Sequence, residues 1–204
     1  MLATTFDLKS AYKQFAIAPR DASLAVITLR GPTKSGLACF PCKVLPFGAT
    51  ASVLRFCRVS ALLWAIGCHL GLVWGNYIDD FPTLMMADDA DSTVNATKAF
   101  LHLTGTAYAD DKLRLPAKLA EALGIELNLT GCDDGVVEVQ NKPSRATELS
   151  EALDCIIDKG TVVPSTLPST LGRLQFAELQ IMGRAGRLAM ADIRALGHHE
   201  KAET

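Results

Sequence analysis

Two adjacent carboxylates, Asp79 and Asp80, stand in Tyr77-Ile78-Asp79-Asp80-Phe81, inside an apolar run that begins at Leu70-Gly71-Leu72-Val73-Trp74 and resumes through Leu84-Met85-Met86. Like charges a few ångströms apart in apolar surroundings must share a proton or bind a cation. The stretch therefore has two readings: a cation site, or the turn of a β-hairpin in which Asp-Asp is ordinary turn chemistry and both side chains face water. In extended chain, successive side chains point to opposite faces. The two aspartates therefore address one ion unequally unless the turn rotates one of them, and Asp79 is the better ligand candidate.

A third carboxylate in a comparable setting is Asp7, which follows Thr4-Thr5-Phe6, the end of a short strand, and precedes the small-residue turn of Leu8-Lys9-Ser10-Ala11-Tyr12. Between the acidic stretches lies Leu45-Pro46-Phe47-Gly48-Ala49, a Pro/Gly-marked loop leading into a long apolar helix. The order Asp-x-x-x-Ala-Tyr, Leu-Pro-Phe-Gly, Tyr-Ile-Asp-Asp, with Asp7 and Asp79 separated by 72 positions (79 − 7 = 72), resembles the palm of reverse transcriptases. The motifs cover roughly residues 3 to 130, and the remainder matches more loosely.

The resemblance implies an α+β fold: a palm-like antiparallel sheet backed by helices over residues 1–130, then a thumb-like helical region with a tail over residues 131–204. It implies an RNA-directed DNA polymerase of a retrotransposon-type element. Such an enzyme transfers a nucleotide from dNTP to a primer 3′-hydroxyl on an RNA or DNA template. Asp7, Asp79 and Asp80 match its catalytic carboxylates; with the Leu8 carbonyl they would hold two Mg²⁺ ions, Mn²⁺ being an alternative. Leu8, Ala11, Tyr12, Phe47, Gly48 and Lys112 match nucleotide-binding positions, Tyr12 being the one under the incoming sugar. Its bland reading is an interior tyrosine. Arg114 and Lys118 compete with Lys112, and a plain surface base is the alternative to all three. Tyr77, Leu123 and Gly124 match positions that grip the primer terminus, an ordinary strand glycine being the bland reading of Gly124.

Two departures bear on activity. The family places a fingers segment before its first motif, and Met1 stands only six positions ahead of Asp7 (7 − 1 = 6). A missing segment or second chain supplying the fingers, or a catalytically silent relic, are the corresponding expectations. Val53 also stands where many relatives carry proline. An unrelated, non-enzymatic α+β interaction protein, with the acidic hairpin as a turn, is the third reading.

Composition bounds these readings. In 204 residues, a 49% hydrophobic share suffices for a core, and the net charge of −2 gives no global basic signature, so nucleic-acid binding rests on a local patch or on further chain. The N-terminus lacks a signal-peptide pattern and six cysteines occur without secretory context, which points to reduced thiols in the cytoplasm or nucleus. Cys39-Phe40-Pro41-Cys42 has zinc-knuckle spacing but no second pair, so buried or strand cysteines are expected there. Val59 to Trp74 carries no Lys, Arg, Asp or Glu, yet it falls short of a membrane span and contains His69; a core helix and no membrane partner are expected.

The remaining elements follow from pattern. Leu24–Leu29 and Leu37–Val44 read as a hairpin around the turn of residues 31–36, and residues 50–71 as a helix with Val53, Phe56, Val59, Leu62, Leu63 and Ile66 on its apolar face. Residues 92–105 read as an amphipathic helix. Asp133-Asp134-Gly135 reads as turn chemistry rather than a metal site. Residues 144–159 read as a helix closed by Gly160, residues 169–196 as a helix or pair broken near residues 183–186, and the end as a polar tail. Arg173, Arg184, Arg187 and Arg194 against Glu178 and Asp192 leave a mild basic excess there (4 − 2 = +2).

Overall fold

A computed structural model describes residues 1–30, 36–159, 165–180 and 186–199. Residues 31–35 of the turn expected at 31–36, the cap at Gly160, and residues 183–185 of the break expected near 183–186, with Arg184, lie outside the described residues. The chain is α+β and divides into two compact units, Met1–Ala117 and Lys118–Thr204. The division falls earlier than the 130/131 boundary read from sequence. Residues 119–128 pair with a strand further along the chain, so they belong to the second unit.

In the first unit, β1 (Leu2–Asp7), β4 (Val73–Trp74) and β5 (Asp80–Met85) form an antiparallel sheet in the order β1-β5-β4. Alternation in β5 buries Phe81, Thr83 and Met85 on one face, the period-2 signature of a half-buried strand. Phe6 lies opposite Phe81, and the register continues to place Asp7 opposite Asp80. Strands β2 (Val26–Arg30) and β3 (Leu37–Pro41) make a separate hairpin. Cys39 is exposed on β3, and all six cysteines are free thiols.

Helices α1 (Thr50–His69) and α2 (Ala90–Leu103) close the core, in which Phe6, Phe56, Phe81 and Leu101 are fully buried. The buried face of α1 is Ser52, Phe56, Ser60, Leu63 and Gly67, whereas Val53, Leu62 and Ile66 are exposed. This corrects the sequence reading, and the reason is local packing. Trp74 lies over Gly67, where an added Cβ would come within 2.1 Å of the indole. Trp64 and Trp74 exchange hydrogen bonds, each indole N–H donating to the other's carbonyl at 2.9 and 3.0 Å. A helix apolar on most sides gives no unique inward stripe, so cross-chain fit chooses it. By length and composition α1 is long and apolar enough to cross a membrane; one face of it packs in this core.

In the second unit β6 (Leu119–Ala122), β7 (Ile125–Asn128) and β8 (Glu138–Asn141) form an antiparallel sheet with β7 central. Gly135, at a φ of 75°, ends the short 3₁₀ turn of Cys132–Asp134 that precedes β8, in keeping with a turn role for that acidic pair. Helices α3 (Pro143–Lys159), α4 (Leu167–Gln180) and α5 (Arg187–His199) follow. Gly197, His198 and His199 continue α5 rather than forming a tail, because the backbone stays helical through them.

Candidate active site

The register of β1 against β5 brings the distant carboxylates together. Asp7 ends β1 and Asp80 begins β5 directly opposite it, while Asp79 occupies the turn between Tyr77 and Asp80. Tyr77 and Asp80 exchange backbone hydrogen bonds at 2.9 and 3.0 Å, and the Leu8 N–H donates to the Asp79 carbonyl at 2.9 Å. The acidic stretch is thus both a hairpin turn and a convergence point. The turn read from the sequence is present, but Asp79 and Asp80 are both half-buried in it rather than facing water.

The turn is held in an unfavourable backbone. Ile78 has a φ of 56°, which a β-branched residue rarely adopts. Its carbonyl accepts a hydrogen bond from the Ser60 hydroxyl, and Asn76 Nδ2 donates to Ser60 Oγ at 2.5 Å and more weakly to the Ile78 carbonyl at 3.4 Å. Ser60 is fully buried on α1. Sequence reasoning missed Ser60 and Asn76. No sequence signal marks Ser60, because α1 also carries Ser52, Arg55 and Arg58 and a serine one turn beyond Phe56 does not stand out among them.

Asp7, Leu8, Tyr12, Phe47, Asp79 and Lys112 line one cavity of about 480 Å³, with Ala11 also in its wall. Lys112 Nζ lies 2.5 Å from Asp7 Oδ2, and this contact raises the lysine pKa above its ordinary value, chiefly through the hydrogen bond to Asp7 and then its charge. The Asp80 pKa is also raised, first by burial and then by the charges of Asp79 and Asp7, with Lys112 opposing. Burial raises the Tyr12 pKa, with smaller contributions from Cys57 and Asp79.

The Tyr12 ring meets Phe56 at 4.9 Å and Phe47 edge-on at 5.7 Å between centroids. Phe47 itself is 88% exposed, and Gly48 follows at a φ of 89°, a backbone that suits glycine. Tyr77 is exposed beside the acidic turn. Leu123 and Gly124 form the β6–β7 turn of the second unit. Arg114, the rival of Lys112, uses its carbonyl to accept a bond from the Thr4 hydroxyl at 2.8 Å, which ties it to β1.

Carboxylates with a nearby backbone carbonyl are hard oxygen donors of the kind Mg²⁺ takes. Asp7, Asp79 and Leu8 share the cavity and fit such an ion, whereas Asp80 is absent from its lining. Among the described residues no three His, Cys, Asp or Glu side chains gather as a ready-made metal cluster. Asp7 instead carries Lys112.

No family model matches the sequence, and no curated protein matches it. Solved structures do. The foamy viral protease-reverse transcriptase in complex with an RNA/DNA hybrid matches with a TM-score of 0.65 at 18% identity, over 87% of this chain and 21% of that one. Its dRH form in complex with double-stranded DNA matches with a TM-score of 0.62 at 18% identity, again over 87% of this chain and 27% of that one. A further complex with double-stranded DNA gives 0.62 and 18%, covering 87% and 33%. The chain spans a fifth to a third of the length of these structures. What they share with 87% of this chain is the backbone arrangement, and the chain has a reverse-transcriptase-like fold.

Proposed function

We propose that the chain is the palm and thumb part of an RNA-directed DNA polymerase of a retroelement, acting on a primed RNA or DNA template. The observation that carries this is the meeting of Asp7 and Asp79, 72 positions apart in sequence (79 − 7 = 72), in one cavity with Tyr12, Phe47 and Lys112. The neighbours' complexes with RNA/DNA hybrid and double-stranded DNA support nucleic acid as the partner.

In this reading Asp7, Asp79 and the Leu8 carbonyl would hold Mg²⁺, with Mn²⁺ as a substitute, and Asp80, opposite Asp7 on β5, would add negative charge nearby. Bound there, the metal would supply the positive charge that lowers the pKa of the primer hydroxyl and offsets charge at the phosphorus. The chain's own residues do the positioning. Tyr12, backed by Phe56, walls the space for the sugar; Phe47 and Gly48 supply an exposed edge for the base; Lys112, released from Asp7, reaches the phosphates as a point charge. Ser60 and Asn76 keep Asp79 aimed by bracing the turn before it. Fingers from another segment or chain complete the site.

Primer extension on a poly(rA)/oligo(dT) template tests this. Asp7→Asn and Asp79→Asn are each expected to abolish extension while leaving the circular dichroism spectrum unchanged. Extension retained in both variants sinks the proposal. An inactive relic gives none in the wild type either, even with a fingers segment added.

A further inference from the structure

Tyr12 and Lys112 both line the candidate cavity, yet each stands on a segment with little regular structure of its own. Tyr12 sits on a single 3₁₀ turn, Ala11–Gln14, entered through Ser10 at a φ of 50°, a left-handed backbone uncommon for serine. Lys112 sits on a bulge. Residues 107–117 run antiparallel to β1, bridging Leu8 to Tyr108 and Ala3 to Ala117. Between those bridges β1 advances five positions (8 − 3 = 5) and its neighbour nine (117 − 108 = 9), so four residues are thrown out of register (9 − 5 = 4). The Ala109 N–H still donates to the Asp7 carbonyl at 2.8 Å, which places the bulge after it, where the short 3₁₀ turn Asp110–Lys112 lies.

Gln14 ties these two segments together. Its Nε2 donates to the Lys9 carbonyl at 2.7 Å and to the Ala107 carbonyl at 2.8 Å, and its Oε1 accepts the Ala107 N–H at 2.7 Å. A backbone N–H can only donate, so it fixes which end of the side-chain amide is oxygen. One side chain thus joins the end of the Tyr12 turn to the residue after Leu8 and to the foot of the Lys112 bulge. Asp7 and Asp79 are placed without it, by the β1–β5 register and by the Leu8 N–H bond to the Asp79 carbonyl.

We infer that Gln14 is a positioning residue for nucleotide binding: by pinning Ala107 to the Tyr12 turn, it sets the span between the wall under the sugar and the lysine that meets the phosphates. The identity of the nucleotide rests on the polymerase reading above; the tie itself stands on the hydrogen bonds of the first unit. In that reading Tyr12 and Lys112 contact the nucleotide before and during the reaction alike, while the carboxylates do not depend on Gln14. Its loss therefore weakens binding more than it slows chemistry.

The experiment uses the full chain and takes three readings. They are amide hydrogen exchange over residues 107–113, dTTP affinity by calorimetry with Mg²⁺ on a dideoxy-terminated poly(rA)/oligo(dT), and KM and kcat for dTTP in extension of the unblocked primer. In Gln14→Met, which keeps the volume and removes all three bonds, exchange over 107–113 is expected to rise on the order of tenfold with β5 unchanged. The dTTP dissociation constant and KM are expected to rise on the order of tenfold as well, with kcat within about threefold of wild type. Gln14→Glu, which can still accept from Ala107 but turns carboxylate oxygen on two carbonyls, is expected to do no better. Should Gln14→Met not fold, Gln14→Asn, one methylene too short to reach both segments, decides on the same readouts with smaller rises. Unchanged exchange overturns the inference, as does loosened exchange with wild-type affinity and KM, or a kcat that falls while KM holds. A wild-type chain that binds dTTP but extends no primer sinks the polymerase reading and leaves Gln14 to be judged on the ratio of affinities; one that binds no dTTP overturns the inference.

Discussion

Asp80 is partly buried beside two other carboxylates, and its pKa is raised by burial first and by Asp79 and Asp7 after it. A carboxyl with a raised folded pKa binds its proton more tightly in the folded chain. Its contribution to stability is therefore full below the unfolded pKa and declines as pH rises towards the folded value. Asp80→Asn is expected to raise the melting temperature at pH 7 and to leave it unchanged near pH 3, which a pair of thermal melts checks. Ser60 is the other residue with an outsized effect, because it serves the Ile78 carbonyl and Asn76 together. Ser60→Ala leaves buried polar groups unpaired and is expected to cost about 1–3 kcal/mol in urea unfolding. The Asp pair could be singled out in the sequence as a candidate because carboxylates in an apolar run are rare. Ser60 could not, since α1 carries Ser52 as well and a single serine in a helix has no pattern of its own.

At the scale of elements, the strands and helices were largely legible. Alternation marks β5 and the run from Thr50 marks α1, within a residue or two of their observed ends. Which face of α1 points inward was not, because Val, Leu and Ile occur nearly all round it. Contact with β4 settles the matter: Trp74 requires a residue without a side chain beneath it, and Gly67 is that residue. Gly67→Ala drives a methyl into the indole and is expected to destabilise the first unit by about 1–3 kcal/mol or more. Leu62→Ala, on the exposed face, is expected to change stability by less than about 0.5 kcal/mol. Urea melts of the two variants distinguish this inward face from the one the apolar spacing suggests.

For the whole molecule, each compact unit closes its own sheet, β1-β5-β4 in one and β6-β7-β8 in the other. Native-state hydrogen exchange is expected to resolve two cooperative blocks divided at Ala117, with β5 slowest in the first and β7 slowest in the second, since each is its sheet's central strand. A single block with one common opening energy overturns that expectation. The sequence by itself determined the α+β class, the three motifs and the chemistry of their side chains, because residue type, hydrophobic period and turn residues are local properties. Tertiary structure decided the rest: that Asp7 meets Asp80 in register and shares a cavity with Asp79, that Lys112 rests on Asp7, and that residues 119–128 side with the second unit. These depend on which strand pairs with which and in what register. Pairing energy there comes from fit between surfaces distant in the chain, which no local pattern encodes.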